Sequence, residues 1–253
     1  MKYGIADYGM NVYEGGLFDL EERLANLKQL GYSGIERLEA ADTCEAVNRA
    51  VTFHRAGMDF ATCRGPRLEQ NMEWSCAFGK DYIWLTPGDC GRDVEMDSFI
   101  RRSRNFCRAC AKYGISAALH NHLGSRIENQ EELDFFLKEV PEAKLLLDIG
   151  HLAAAGGDVC ATAGRYFDRL AAIHFKDVFV KDESIGLDRW WERLRFCELG
   201  GGNRPGMIDW QGTARLLKEK NYRKWVFVEH DTHLREPLED LKISITELKA
   251  IME

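Results

Sequence analysis

The chain has 253 residues, 45% of them hydrophobic and 30% charged, with only 5 prolines and a net charge of −7. This is a globular composition, and the length suits a single α/β barrel. The acidic balance and the lack of any basic block argue against a nucleic-acid surface and against a polybasic membrane anchor. The opening stretch MKYGIADYGM lacks the apolar core of a signal peptide, and no segment approaches the ~20 apolar residues that cross a bilayer. The expectation is a soluble cytoplasmic protein.

Along the chain, short apolar runs alternate with longer amphipathic ones. The first strand candidate is KYGIA (2–6), followed by a helical period in Leu17, Leu20, Leu24 and Leu27. GIERL (34–38), MDFATC (58–63) and DYIWLT (81–86) come next. The charged segment RRSRNFCRACAKYG reads as a helix, so its C-x-x-C of Cys107 and Cys110 is helical rather than a zinc knuckle or redox pair. The 8 cysteines are scattered, which in a chain without a secretion signal means reduced thiols. ISAALH (115–120), KLLLDI (144–149) and LAAIHF (170–175) follow, and KWVFVE (224–229) is the last strand. The longest irregular connection, 178–206, carries Trp190, Trp191 and a GGGNRPG turn, and a long insertion there suits an active-site loop. Asp209 is an N-cap candidate for the helix after it, and Leu238, Leu241, Ile245, Leu248 and Met252 mark the closing helix. Eight near-continuously apolar strands alternating with helices predict a single-domain (β/α)8 TIM barrel of parallel strands over 1–253. A doubly wound open sheet is disfavoured, because no glycine-rich phosphate turn follows the first strand.

Catalytic groups of such barrels sit at the C-terminal strand ends. Strands five to eight end in His120, Asp148, His174 and Glu229. A lone histidine or aspartate there is usually a hydrogen-bonded core group, but four in succession form a mixed N/O ligand set for one divalent ion. The set suits Mn, Co, Zn or Fe more than Ca. His151 follows Asp148 in D-I-G-H. Alternation puts Lys176 on the face of His174, and His122 on that of His120, in the wall or outer layer of a pocket. Glu36 could reach the pocket from the far wall or act as a salt-bridge partner at the barrel mouth. Trp84 could pack on a sugar ring or belong to the core.

LHNHLG, LLLDIGHLAAAGGD, IHFKDV and VFVEHD, between Ile115 and Asp231, resemble the xylose-isomerase-like superfamily of sugar isomerases, epimerases and dehydratases, and most resemble its inosose (keto-inositol) dehydratases. The resemblance implies that His120, Asp148, His174 and Glu229 bind metal and that His151 and Lys176 line the substrate pocket. Epimerases of the superfamily usually carry Glu where this chain has His120, and a metal-held imidazole is a poor base. The expected reaction is therefore β-elimination of water from a keto-cyclitol or keto-sugar through an enolate or enediolate. Glu229 is the first candidate for the base, with Lys176 or His151 as proton donor and Glu36 or Asp231 as substitutes. Asp231 belongs to the final E-x-D and is counted with the substrate-binding residues. The alternative is isomerisation or epimerisation of a free or phosphorylated ketose, for which Arg204 in GGNRPG and Arg64 in TCRGP are the cationic candidates. A DNA-cleaving relative is disfavoured by the net charge of −7. The expected partner is a small-molecule substrate, with room for a barrel face to pair with a second copy.

Overall fold

The computed structural model describes residues 1–6, 19–230 and 235–253. Leu17 and Asp231 lie outside these residues. Eight parallel strands form the barrel wall: β1 (Lys2–Ala6), β2 (Gly34–Glu39), β3 (Asp59–Arg64), β4 (Tyr82–Trp84), β5 (Ser116–His120), β6 (Lys144–Asp148), β7 (Leu170–Phe175) and the closing strand Trp225–Glu229. Hydrogen-bonded pairing runs β3-β2-β1, then the closing strand, then β7-β6-β5-β4. The circuit is thus continuous except between β3 and β4, where no ladder forms among the described residues. The first described helix, Leu20–Leu30, starts where the Asp19 carboxylate accepts the Glu22 N–H and stops at Gly31, which has a φ of 94°. The C-x-x-C pair lies inside the helix Met96–Lys112, with both thiols free and buried, and burial pushes them up to about 11 for Cys107 and about 12 for Cys110.

Strand alternation separates two apolar regions. Outward side chains such as Leu119, Leu147, Ile173 and Val228 join the helices in the main core. Inward ones, including Ala118, Leu146, Ala172 and Phe227, form a second cluster. Each of these four lies two residues before His120, Asp148, His174 or Glu229, so the polar groups stand on an apolar plug. The plug is tight: a Cβ on Gly4 of β1 would lie 2.6 Å from the Phe227 ring.

The connection expected to be irregular contains an antiparallel hairpin of β8 (Asp177–Val180) and β9 (Leu194–Cys197). Val178 pairs with Phe196 and Val180 with Leu194, and all four are buried. The two segments are too short to stand out as strands, but their period-two apolar pattern buries one face against the barrel mouth. No helix among the described residues is long and apolar enough to cross a membrane.

Candidate active site

His120, Asp148, His174 and Glu229 each offer a ligand atom, and those atoms all lie within 4.8 Å of one another. Asp148 ends β6 and also caps the short helix Ile149–Ala154, its Oδ1 accepting the His151 backbone N–H at 2.9 Å. That leaves Oδ2 facing the centre, 3.3 Å from His120 Nε2 and 3.5 Å from His174 Nδ1. The buried Asn121 between the two histidines of HNH clamps the Asp148 backbone. Its side-chain amide donates to the Asp148 carbonyl and its oxygen accepts the Asp148 N–H, both at 2.9 Å. Hence one tripeptide supplies a central group in His120, a strand-end clamp in Asn121 and a cavity wall in His122. Asn121 was not singled out from the sequence, since an amide between two histidines gives no sign that its partner lies on the next strand.

Of the two places open to it, Glu36 takes the ion-pair one, with His174 as the partner. It is buried, with Oε1 accepting from Trp84 Nε1 at 2.9 Å and from the Tyr82 hydroxyl at 3.3 Å, and Oε2 lying 3.0 Å from His174 Nε2. It therefore supports His174 from behind, and it does not line the cavity described below. With Nε2–H held by Glu36, His174 turns Nδ1 toward Glu229 Oε2 at 3.1 Å. A carboxylate–histidine pair of this kind fixes the ring and tautomer that a metal ligand needs. Two inward imidazole nitrogens and two inward carboxylate oxygens, one imidazole braced from outside, fit a divalent transition ion.

Lys176 is fully buried. Its ammonium contacts Glu229 Oε2 and lies 2.8 Å from Asp148 Oδ2. Its stem crosses Gly150 of D-I-G-H, where a Cβ would sit 2.5 Å from Lys176 Cδ and 3.0 Å from the Phe196 ring. Only glycine leaves that passage open.

The charges at the centre respond to one another. Burial pushes the Asp148 and Glu229 carboxyls up, but the Lys176 ammonium and the neighbouring histidines outweigh it and hold both below the usual carboxylate range. Burial likewise opposes ionisation of Glu36, and His174 overcomes it. Burial disfavours the His174 cation, yet Glu36 and Glu229 hold the imidazole well above its ordinary value. His151 and His122 go the other way. Burial first, then Lys176, keeps His151 neutral, while burial, His120 and Lys176 bring His122 down to about 4. Their ring centroids lie 3.7 Å apart with the planes tilted by 37°. His151 Nδ1 accepts the Leu123 N–H at 3.3 Å, so its proton sits on Nε2, a buried atom with no hydrogen-bond partner.

A cavity of about 490 Å³ opens over this centre, with Trp84, His120, His122 and Glu229 in its lining together with Trp190 and Trp191 of the 178–206 connection. Glu229 is its one lining carboxylate among the described residues. Trp84 packs against His120 at a 35° tilt with ring centroids 4.5 Å apart. His151 and Lys176, expected to line the pocket, are fully buried just behind this lining, against His122 and Glu229, and Arg204 does not line the cavity either. It is exposed and pairs with Glu183 of the same connection at 2.7 Å, because the GGNRPG turn points it along the loop.

The family described as xylose isomerase-like TIM barrel matches residues 66–251. An inosose dehydratase from Lactiplantibacillus plantarum is 31% identical over 162 residues, covering 60% of this chain and 53% of that protein. The chain thus spans about half the length of the curated relatives it matches. Among solved structures, the probable 3-DHS dehydratase AsbF from Bacillus anthracis superposes with a TM-score of 0.72 at 15% identity, covering 98% of this chain and 99% of that one. The D-psicose 3-epimerase from Clostridium cellulolyticum H10 gives a TM-score of 0.68 at 15% identity, covering 100% of both chains. With nearly three quarters of its length matched, this chain belongs to the xylose isomerase-like TIM barrel family.

Proposed function

We propose that this chain is a divalent-metal-dependent dehydratase that eliminates water from a polyhydroxy ketone such as a keto-cyclitol. The observation that carries this reading is the asymmetry of the cavity: among the described residues Glu229 is the one carboxylate in its lining, and the strand-five position that holds Glu in the epimerases this chain resembles holds His120. Epimerisation by proton removal on one face and return on the other needs two such bases. Elimination needs one base and one proton donor. The inosose dehydratase relative supports the same reaction class.

His120, Asp148, His174 and Glu229 would hold the ion, whose identity is open among Mn, Co, Zn and Fe. The chemistry such an ion supplies is polarisation of the ketone, which acidifies the neighbouring C–H. Glu229 takes that proton. From behind the cavity lining, the neutral His151 backs His122, which orients a substrate hydroxyl, and the Lys176 ammonium in contact with Glu229 is the proton source for the departing one. The aromatic wall of Trp84 and Trp190 packs on the ring and excludes water. The 178–206 connection serves as the active-site loop.

The test is proton NMR of the metal-loaded protein with a keto-inositol in heavy water. Loss of a ring carbinol signal with growth of an enol or dione is the expected result. Exchange at the α-carbon without elimination would move the assignment to an isomerase or epimerase. An unchanged spectrum would exclude keto-inositols as substrates.

A further inference from the structure

The reaction class leaves the substrate's charge open, and an inosose carries none. The cavity wall carries more positive charge than a neutral ligand would use. Besides Glu229, its lining includes four cationic side chains: Arg37, Arg64, Lys181 and Arg195. Glu229 is already engaged by Lys176 and His174, so it does not neutralise them. Arg37 and Arg64 share a single oxygen of the Glu39 carboxylate, Oε1, at 3.6 and 3.3 Å, and Arg37 also favours the charge on buried Glu36, a carboxylate that His174 already pairs. Arg195 has no carboxylate partner among the described residues. Its guanidinium lies 4.4 Å over the Phe179 ring, and its buried Nε has no hydrogen-bond partner. The Lys181 ammonium is held by the Trp191 carbonyl, a neutral group. Arg37 is fixed by stacking 4.6 Å over Trp84, and its Nε also lacks a hydrogen-bond partner.

This excess of positive charge stands in a chain whose net charge is −7. It is therefore local, built by β2, β3 and the β8–β9 hairpin converging on one mouth. Fixed guanidinium forks with unused donors are an anion receptor. A second cavity of about 420 Å³ shares Arg37, Arg64 and Trp84 and adds Arg67, which extends the cationic surface away from the metal-ligand cluster. Resting on the proposed dehydratase reading, we infer that the substrate is an anion, a polyhydroxy ketone bearing a carboxylate or a phosphate monoester, held by Arg37, Arg64 and Arg195 while its ketone end faces Glu229.

The test is a titration of intrinsic fluorescence, since Trp84, Trp190 and Trp191 line the cavity. Three probes share a six-membered polyol ring: quinate with a carboxylate, myo-inositol 1-phosphate with a phosphate, and neutral myo-inositol. At least one anion is expected to bind about tenfold or more tightly than myo-inositol, and the better anion identifies the group. Raising the ionic strength from roughly 0.05 M to about 0.5 M should weaken the anion and leave myo-inositol unchanged. Arg195→Gln and the more exposed Arg64→Gln should each cost about tenfold for the anion alone. Equal or tighter binding of myo-inositol, or anion binding indifferent to both substitutions, overturns the inference. Turnover of neutral keto-inositol without anion binding would remove the anion site and keep the dehydratase. Arginine-dependent anion binding with no chemistry on any ketose would do the reverse.

Discussion

Glu36 shows how much one residue can do without touching a ligand. It is separated from His174 by more than half the chain, yet it holds Nε2–H at 3.0 Å and so decides which nitrogen faces the centre. Glu36→Gln keeps the shape and removes the charge. It should weaken metal binding by about 10–100-fold while leaving the circular dichroism spectrum unchanged, as read by competition with a chelator of known affinity. Unchanged affinity would mean that His174 is oriented by packing against Trp84 and Phe227 instead. The sequence reading placed Glu36 near the site but not its task, because the partner is set by barrel closure rather than by spacing along the chain.

At the scale of elements, the eight strands are legible because most are near-continuously apolar, and the four central residues because chemistry collects at the strand ends of this fold. What lay beyond reach was pairing between elements. The β8–β9 hairpin is made of two four-residue segments, too short for a period to declare itself. Arg64 was named from the sequence as a cationic candidate, but Arg37 and Arg195, from two other strands, join it only in the folded barrel. Arg204 looked suited to an anion because of its glycine-rich turn, but Glu183 takes it up from the other side of the same insertion. The Asn121 clamp between β5 and β6 is the element-level feature with the clearest energetic signature. Asn121→Ala strands a buried N–H and a buried carbonyl of Asp148, each worth about 1–3 kcal/mol. A lowered urea midpoint together with weaker metal binding is expected, and a stability equal to the unsubstituted protein would show that the clamp is dispensable.

Over the whole molecule, the buried histidines set how the metal-free protein responds to pH. His122 and His151 are held below their ordinary value of 6.5, so as pH falls beneath it the unfolded chain takes up protons that the folded one refuses. Stability is lost on that side, and the depressed carboxyls of Glu36, Asp148 and Glu229 add to the loss at still lower pH. His174 acts above 6.5. Its folded-state value is raised, so its contribution is complete below 6.5 and disappears as pH rises through the folded value. Urea midpoints of the metal-free protein should therefore be highest near about pH 6.5 and lower at about pH 5 and about pH 8. An ion held by His174 with His120, Asp148 and Glu229 would replace an imidazole proton, so the loss on the alkaline side should vanish when the ion is added. A midpoint still rising above pH 6.5 without metal would contradict this assignment.

The central claim is a single carboxylate base, and the most direct measurement is α-proton exchange of a ketone substrate in heavy water by Glu229→Gln protein whose bound metal has been quantified. Exchange and elimination should both fall by about 100-fold or more in protein that still carries its ion. Exchange at the unsubstituted rate with the ion in place would contradict it and would move the base elsewhere in the cavity.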